Sequence, residues 1–292
     1  MTSIAASPAP ISRRKRTSTG QRLLIAWTLV VLAFLYIPIL LLVAYSFNAS
    51  RLNVLWGGFT FRWYAEVFRD RPLVEALENS LIVAIFTTLL SVPLGTAAAW
   101  ALYRYRPRMA RSIQTLAMTP IVMPEVIMGV SLLIFFAAIS SAGNAVLAKL
   151  GAGDNVLGLG YATIILGHVT FCFPFVMVAV RARLAGLDPA LEEAAMDLGA
   201  GPARAFVSVI VPYLMPAIVS GALMSFTLSM DELIVTYFTY GPGTITLPVK
   251  VYGMARVGMS PTLNAISAML IVATAVLMSL ADFVRRRGER RV

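Results

Sequence analysis

Charged residues are scarce in this chain of 292 residues: Asp, Glu, Lys and Arg together make up only 13% of the sequence. A soluble domain usually contains about 25% charged residues. Hydrophobic residues make up 59%, which is more apolar surface than one soluble core of this length can hide. Lipid can solvate that surface instead, so the composition excludes a soluble globular protein and indicates an integral membrane protein.

Cysteine and histidine are almost absent as well. Cys172 and His168 are the single members of their kinds, so the chain can form no internal disulfide and offers no metal-ligand pattern. We expect Cys172 to be a small buried hydrophobic residue and His168 to be a packed, hydrogen-bonded side chain. The sequence contains no recognisable nucleophile–base pair or catalytic carboxylate dyad, and we predict neither enzymatic activity in this chain nor a cofactor or metal.

Lysine is also rare, and none of the lysines, at positions 15, 149 and 250, follows a glycine. The phosphate-binding run G-x-x-x-x-G-K-[ST] is therefore missing, which excludes ATP binding by a P-loop. The net charge of +10 could suggest a nucleic-acid partner. However, the basic residues form short clusters between apolar runs, without interleaved aromatic residues, so we expect no nucleic acid. Any energy for work must come from another subunit.

Six apolar runs are long enough to cross a bilayer, which takes about 20 residues. They lack the short alternating pattern of a membrane barrel, so each is predicted to be a helix whose backbone satisfies its own hydrogen bonds. The first run is too long for a signal peptide and is followed by no small-residue cleavage pattern. The fold class is therefore an all-α integral membrane protein, with a polar tail at 1–22, a transmembrane domain at 23–284 and a basic tail at 285–292. The predicted spans are approximately 23–47, 80–103, 113–139, 159–180, 213–237 and 263–284.

The distribution of Lys and Arg predicts the orientation, because cytoplasmic segments carry the excess of these residues. The N-terminal tail, the 104–111 and 181–212 loops and the C-terminal tail together hold 17 of them, against 7 in the other three connections. Both termini are therefore expected to be cytoplasmic, which agrees with an even number of spans.

The 181–212 loop has its own helical pattern. Asp188 is a good N-cap and is followed by Pro189, a residue favoured in the first turn. Two glutamates then follow in the first turn, where carboxylates suit the helix dipole. Gly199 is expected to end this helix in a left-handed conformation, and Pro202 can start another. The sequence thus predicts a short helix with small residues on its surface, which would let another backbone approach closely.

This loop resembles the EAA loop of ABC-importer permeases: Glu-Ala-Ala, three residues, Gly, nine residues, then Ile-x-Leu-Pro. Here the matching residues are Glu193, Ala194, Ala195, Gly199 and Pro212, with Val209 and Val211 as mild departures at the two apolar positions. In that family the loop is a coupling helix seated in a groove of the ATPase subunit. The resemblance implies the type I importer fold, ATPase subunits docked on this loop, a second related permease and an extracytoplasmic solute-binding protein. The alternative is an ordinary amphipathic loop helix.

Two further segments, 120–133 and 229–265, resemble the spermidine/putrescine branch of these permeases. That branch usually carries an acidic pair where this chain has Asp231 and Glu232. The resemblance implies a permease subunit that helps to enclose the path of a polyamine. The alternatives are the same type of importer for ferric ion or another organic cation or anion, or a membrane channel or scaffold without an ATPase.

Acidic residues within apolar runs are candidates for the substrate path. Glu125 falls near the middle of the third predicted span, where a carboxylate costs on the order of 2.5–3.5 kcal/mol and usually faces a cavity or a partner. Asp231 and Glu232 lie toward the outer end of the fifth, with Tyr237 and Tyr240 nearby to add cation–π contacts. The alternatives are that Glu125 bridges two helices or pairs with an arginine of another subunit, and that Asp231 and Glu232 cap a helix end.

The predicted orientation can be tested by thiol labelling in intact cells. Cysteines placed at Arg108 and Ala200 should be protected from a membrane-impermeant reagent, because both belong to the basic loops, whereas cysteines at Asn53 and Gly153 should react. Reaction at Ala200 from outside the cell would overturn the orientation.

Overall fold

The computed structural model describes residues 19–51, 55–105, 108–149, 157–258 and 260–289. Within these ranges the chain forms helices, and the one β-type contact is an isolated antiparallel bridge between Asn48 and Phe59. Six helical segments are long and apolar enough to cross a membrane, which confirms the predicted number of spans. They are Thr19–Tyr45, Arg71–Tyr105, Glu125–Lys149, Tyr161–Leu184, Pro202–Asp231 and Pro261–Leu280.

Twelve α-helices and one π-helical turn are present in the described ranges. The helices are α1 Thr19–Tyr45, α2 Arg62–Arg69, α3 Arg71–Tyr105, α4 Ala110–Val122, α5 Glu125–Lys149, α6 Tyr161–Leu184, α7 Ala190–Asp197, α8 Pro202–Ala205, α9 Val211–Asp231, α10 Ile234–Thr239, α11 Leu247–Val257 and α12 Pro261–Glu289. The π-helical turn, Phe206–Ile210, joins α8 to α9.

The centre of the bundle is formed by α3, α6 and α9, which pack against one another. Val176 of α6 is fully buried and lies between two glycines, Gly95 of α3 and Gly221 of α9. A Cβ atom on Gly95 would come within 2.7 Å of both the Phe173 carbonyl oxygen and the Val176 Cβ. Because association of membrane helices depends on close van der Waals packing, these two glycines let the helix backbones meet around α6.

The outer elements pack much less. No residue of α1 is buried, and this helix contacts α12; its exposed apolar side chains suit lipid or another subunit. By contrast, α2 buries Trp63 and Val67 in a cluster with residues of α3 and α12. The indole N–H of Trp63 donates to the Asn48 carbonyl oxygen at 2.6 Å, which fixes the connection between α1 and α2.

Several predicted boundaries were wrong, for identifiable reasons. The helix expected over 113–139 is interrupted, because α4 ends at Val122 and α5 begins at Glu125. Met123 between them is extended, as the residue before a proline tends to be. The run at 213–237 is also interrupted, since α9 ends at Asp231 and α10 begins at Ile234. No proline marks this second break.

The helices extend beyond the predicted spans. The helix that contains the second predicted span begins at 71, because Asp70 accepts the Leu73 N–H and Pro72 occupies the first turn. The first helix begins at Thr19, inside the predicted tail, and the last continues to Glu289, inside the other tail. Residues 1–18 and 290–292 of these predicted tails lie outside the described part of the chain.

Hydrogen bonds and ion pairs identify the two ends of the bundle. At one end Arg104 lies 3.6 Å from Glu192, so the last turn of α3 and the loop after α6 are neighbours. At the other end Asn79 donates to the carbonyl oxygens of Gly243 and Ile245 at 3.1 and 2.9 Å. Two of the basic loops therefore share one end, as the charge distribution predicts.

The close approach at Gly95 yields a prediction about stability. Replacing Gly95 with Ala should lower the free energy of unfolding by about 1–3 kcal/mol, because the added methyl group meets backbone atoms of α6 that cannot rotate away. Thermal unfolding of the purified protein measures the change. The matched control is Gly253→Ala in α11, where the new Cβ would meet nothing within 4 Å. If Gly95→Ala and the control had the same free energy of unfolding, this result would contradict the close packing of α3 against Val176.

Candidate functional site: a surface loop and two broken spans

The loop after α6 contains the helix that its sequence predicts. Asp188 accepts the Ala190 N–H at 3.0 Å at the start of α7, which is the capping role expected for it. At the other end Gly199 has φ +85°, the left-handed conformation predicted for it, and Gly201 is extended with φ −67°. Pro202 then begins α8.

Buried contacts hold this loop on the bundle. Leu187, just before α7, is buried in one cluster with Leu184 of α6, Ile210 of the π-helical turn and Leu214 of α9. The ion pair of Glu192 with Arg104 ties α7 to the end of α3. Glu192 therefore faces the bundle, and the loop is fixed to three membrane-spanning segments.

The outer face of α7 is available to another protein. Glu193, Ala194, Gly199 and Pro212 are exposed and Ala195 is half-buried. Two leucines that the sequence reasoning missed extend this face: Leu191 is 45% exposed and Leu198 is 90% exposed. Both leucines could have been predicted from the sequence. They are seven residues apart with Ala194 between them, and such positions share one side of a helix. We call Leu191, Glu193, Ala194 and Leu198 the α7 face.

The first break in a span leads directly to Glu125. Met123 has ψ 139°, so the chain leaves the helical path there and re-enters it at Glu125. Glu125 is therefore the first residue of α5 rather than a mid-helix residue, which corrects the sequence-based placement. Its side chain is exposed in the isolated chain. A carboxylate at a helix start is favoured by the helix dipole.

The second break lies at Glu232, whose backbone is extended with ψ 117°. Its carboxylate Oε1 accepts the Val235 N–H at 2.8 Å, so Glu232 caps the first turn of α10. This is the capping alternative considered from the sequence, although it involves an internal restart of the helix rather than its outer end. Glu232 is buried, whereas Asp231 is exposed and accepts a 3.5 Å hydrogen bond from Thr274 of α12.

The two breaks lie side by side. Helix α10 packs against α5, and the Phe238 ring lies directly over Gly129, where a Cβ would come within 2.6 Å of it. Because α5 begins at Glu125 and α10 begins two residues after Glu232, this packing places the two carboxylates on neighbouring elements. The structure thus brings together two acidic residues that are more than a hundred positions apart in sequence.

Tyr237 and Tyr240 lie at the edge of a cavity of about 620 Å³. Their ring centroids are 6.3 Å apart, and Tyr252 of α11, which the sequence reasoning missed, is also 6.3 Å from Tyr237. The charged residues of this cavity are basic: Lys250 lines it, and the Arg256 guanidinium lies 5.0 Å from the Tyr252 ring centroid. The face of the Tyr252 ring is therefore already in contact with a cation of the chain itself, Arg256.

His168 and Cys172 are both fully buried in α6, as predicted. The His168 ring is hydrogen-bonded through both nitrogens, and the Cys172 thiol contacts the Ser225 carbonyl oxygen at 3.6 Å. Among the residues that the structure describes, no three His, Cys, Asp or Glu side chains are grouped so that they could hold a metal ion.

Known proteins with related sequences are membrane permeases. The putrescine transport system permease protein PotI of Escherichia coli (strain K12) is 40% identical over 270 residues, which cover 90% of this chain and 92% of PotI. The spermidine/putrescine transport system permease protein PotC of the same organism is 36% identical over 256 residues, covering 88% of this chain and 91% of PotC.

Solved structures and a family model identify the fold and the family. A chain of a bacterial ABC transporter involved in the import of alginate has a TM-score of 0.68 at 19% identity, covering 92% of this chain and 94% of that one. The expected all-α type I importer permease fold is thereby confirmed. Residues 91–292 match the model of the binding-protein-dependent transport system inner membrane component. This chain belongs to that family, and it is a multi-pass protein of the inner membrane.

Proposed function

We propose that this chain forms, with a second related permease, the path by which an ATP-driven importer moves a polyamine such as putrescine across the inner membrane. Both of its termini face the cytoplasm. ATPase subunits bind the α7 face, and an extracytoplasmic solute-binding protein delivers the substrate to the opposite end of the bundle. The names of the relatives, which are putrescine and spermidine/putrescine permeases, support the substrate class.

The observation that carries the proposal is the meeting of two broken spans at Glu125 and Glu232. In transporters, discontinuous membrane helices are the best indicator of a binding site, because irregular backbone at membrane depth is tolerated where it lines a cavity. Here both breaks bear carboxylates, and Asp231 adds a third. Anionic side chains along the path would offset the desolvation of a substrate that carries several ammonium groups.

The position of the α7 face supports its role in coupling. Leu191 and Leu198 are exposed on one side of this short surface helix with Ala194 between them, and such a combined apolar face suits an apolar groove of a partner. The inner side of the loop contacts α3, α6 and α9 through Leu187 and the Arg104–Glu192 pair. A pull on α7 by the closing ATPase subunits would therefore reach the three central helices together and convert the path from inward-open to outward-open.

The path needs a second permease chain to close it. Glu125, Asp231 and Tyr237 are all exposed in the isolated chain, which is expected if these side chains face the opposite half of a shared path. Tyr237 lies in α10 and Tyr240 directly follows this helix, so both residues lie beyond the acidic residues along the chain. The proposed path includes the tyrosine-lined cavity and the carboxylates at the breaks. Because Lys250 and Arg256 line the cavity, the carboxylates supply the attraction for a polycation.

The coupling role predicts different effects for two neighbouring glycines. Gly199→Ala should weaken association of the ATPase subunits about five- to thirtyfold, because the left-handed conformation costs an L-residue roughly 1–2 kcal/mol. Gly201→Ala adds the same methyl group to an extended residue and should leave association unchanged. Neither Cβ meets an atom within 4 Å in the chain. Co-purification of the ATPase with each variant, quantified against membrane-inserted permease, measures the effect. Equal association in both variants would argue against a coupling helix.

The substrate path predicts that charge matters more than shape at the breaks. Glu232→Gln keeps an oxygen that can accept the Val235 N–H, so the cap on α10 survives while the charge is lost. Uptake of putrescine per assembled complex should fall about tenfold in this variant and in Glu125→Gln, in line with the loss of a charged hydrogen bond. Glu66→Gln, which removes a charge from an exposed ion pair with Arg62 in α2, is the control and should transport normally.

The alternative roles of these acids predict another result. If Glu125 only bridges helices, Glu125→Gln would reduce the amount of assembled complex while transport per complex stays normal. Unchanged transport per complex in both glutamine variants would show that these carboxylates do not carry the substrate.

A further inference from the structure

His168 bridges the break in the fifth membrane segment. Its side chain is fully buried in α6. One ring nitrogen, Nδ1, lies 2.7 Å from the Ser229 hydroxyl, and the other, Nε2, lies 2.8 Å from the Thr236 hydroxyl. Ser229 belongs to α9 and Thr236 to α10, so the two bonds hold residues on opposite sides of the break.

One tautomer of His168 satisfies all the hydrogen bonds at the break. The Thr236 hydroxyl donates its single proton to the Glu232 carbonyl oxygen at 3.2 Å, the carbonyl of the residue at which the helix breaks. Thr236 must then accept from His168 Nε2–H. A neutral imidazole has one donor and one acceptor, so Nδ1 accepts the proton of the Ser229 hydroxyl. All three bonds are satisfied together, which matters because unpaired polar groups at membrane depth are costly.

Helix α10 packs against α5 and buries Val235, and its polar contacts with α6 add to that packing. It contains only six residues, fewer than two turns, so its own backbone hydrogen bonds cannot hold it in place. Besides the His168 bonds, the Thr163 hydroxyl of α6 lies 2.7 Å from the Thr239 carbonyl oxygen at the far end of the helix, and it shares its single proton between that acceptor and the Gly160 carbonyl oxygen at 2.8 Å. The first turn of α10 also supplies the Val235 N–H that holds the Glu232 carboxylate. The position of α10 therefore determines the direction in which the Glu232 carboxylate points.

We propose that His168 is a positioning residue of the substrate path: by joining α9 to α10 it holds the Glu232 carboxylate next to Glu125. It acts through Thr236 and α10 and does not touch the substrate. The inference rests on the substrate path proposed above, and it adds that an uncharged side chain on a third helix maintains the geometry of the path.

The test measures the position of α10 and transport separately. In a Cys172→Ala background, a cysteine is placed at Val235, which is fully buried, and its reaction with a small water-soluble thiol reagent is followed in the assembled importer in lipid vesicles. His168→Leu should increase the rate of labelling about tenfold and reduce putrescine uptake per complex by a similar factor, in line with the loss of buried hydrogen bonds. His168→Gln, which retains a donor and an acceptor, should restore much of both.

Two more variants keep the test decisive. Thr170→Val removes a hydroxyl of the same helix that donates to the Leu166 carbonyl oxygen of α6, away from the break, and it should change neither measurement. If His168→Leu does not assemble, Thr236→Val removes one of the two bridging bonds at nearly constant volume and should give the same two changes in weaker form.

The possible outcomes distinguish the two proposals. Faster labelling at Val235 together with reduced uptake supports the positioning role. Unchanged labelling in both His168→Leu and Thr236→Val overturns it, whatever happens to uptake. Faster labelling with normal uptake also overturns it, because α10 would then have moved without affecting transport. Whether the path itself is correct is decided independently by Glu232→Gln, which leaves His168 and the cap in place.

Discussion

The close approach of three helices around Val176 is the constraint on which the rest of the structure depends. Lipid offers no hydrophobic driving force for helix association, so the bundle is held by contact between surfaces that fit. Gly95 and Gly221 remove the side chains that would keep α3 and α9 away from α6. Once these helices are fixed, the two broken segments and the α7 loop have a rigid frame to pack against. The irregular backbone that carries the acidic residues is therefore supported by the most closely packed helices of the described chain.

Helix α6 links the functional features to one another. Its C-terminal end leads into Leu187 and α7. Val176, at the site of closest packing, lies in its C-terminal half. Its N-terminal half carries His168 and Thr163, which contact α9 and α10. It is also the most buried of the six candidate spans. A movement of the loop is thus connected through one continuous helix to the helices that hold the break at Glu232.

The sequence was sufficient for those features that depend on composition and local chemistry. Six apolar runs predicted six spans, Asp188 predicted the cap of α7, and Gly199 predicted a left-handed residue after it. Pro124 explains the first break and could have predicted it, because its ring disfavours a helical residue before it. The second break could not be predicted in this way, because neither proline nor glycine follows Glu232. Val235 and Thr236 bond to Glu232 locally, so capping by Glu232 could be considered from the sequence. The contribution of His168 becomes visible only when α6 and α10 are packed together. The proximity of Glu125 to Glu232 is equally a property of the packing.

The π-helical turn at Phe206–Ile210 has a consequence for how this protein can change through insertion and deletion. Such a turn accommodates one more residue than an α-helical turn, and here it lies inside a continuous helical segment that runs from Pro202 to Asp231. Each residue of an α-helix advances the chain by 1.5 Å and rotates it by about 100°. Deleting one residue from this turn would let it close as an ordinary α-helical turn, with the helix unbroken and the residues after it in nearly the same rotational register. Gly221 would still face Val176 and Ser229 would still face His168, whereas a deletion between Val211 and Gly221 would rotate both away by about 100°. The π-helical turn is therefore the place in this segment where the loss of one residue is best tolerated.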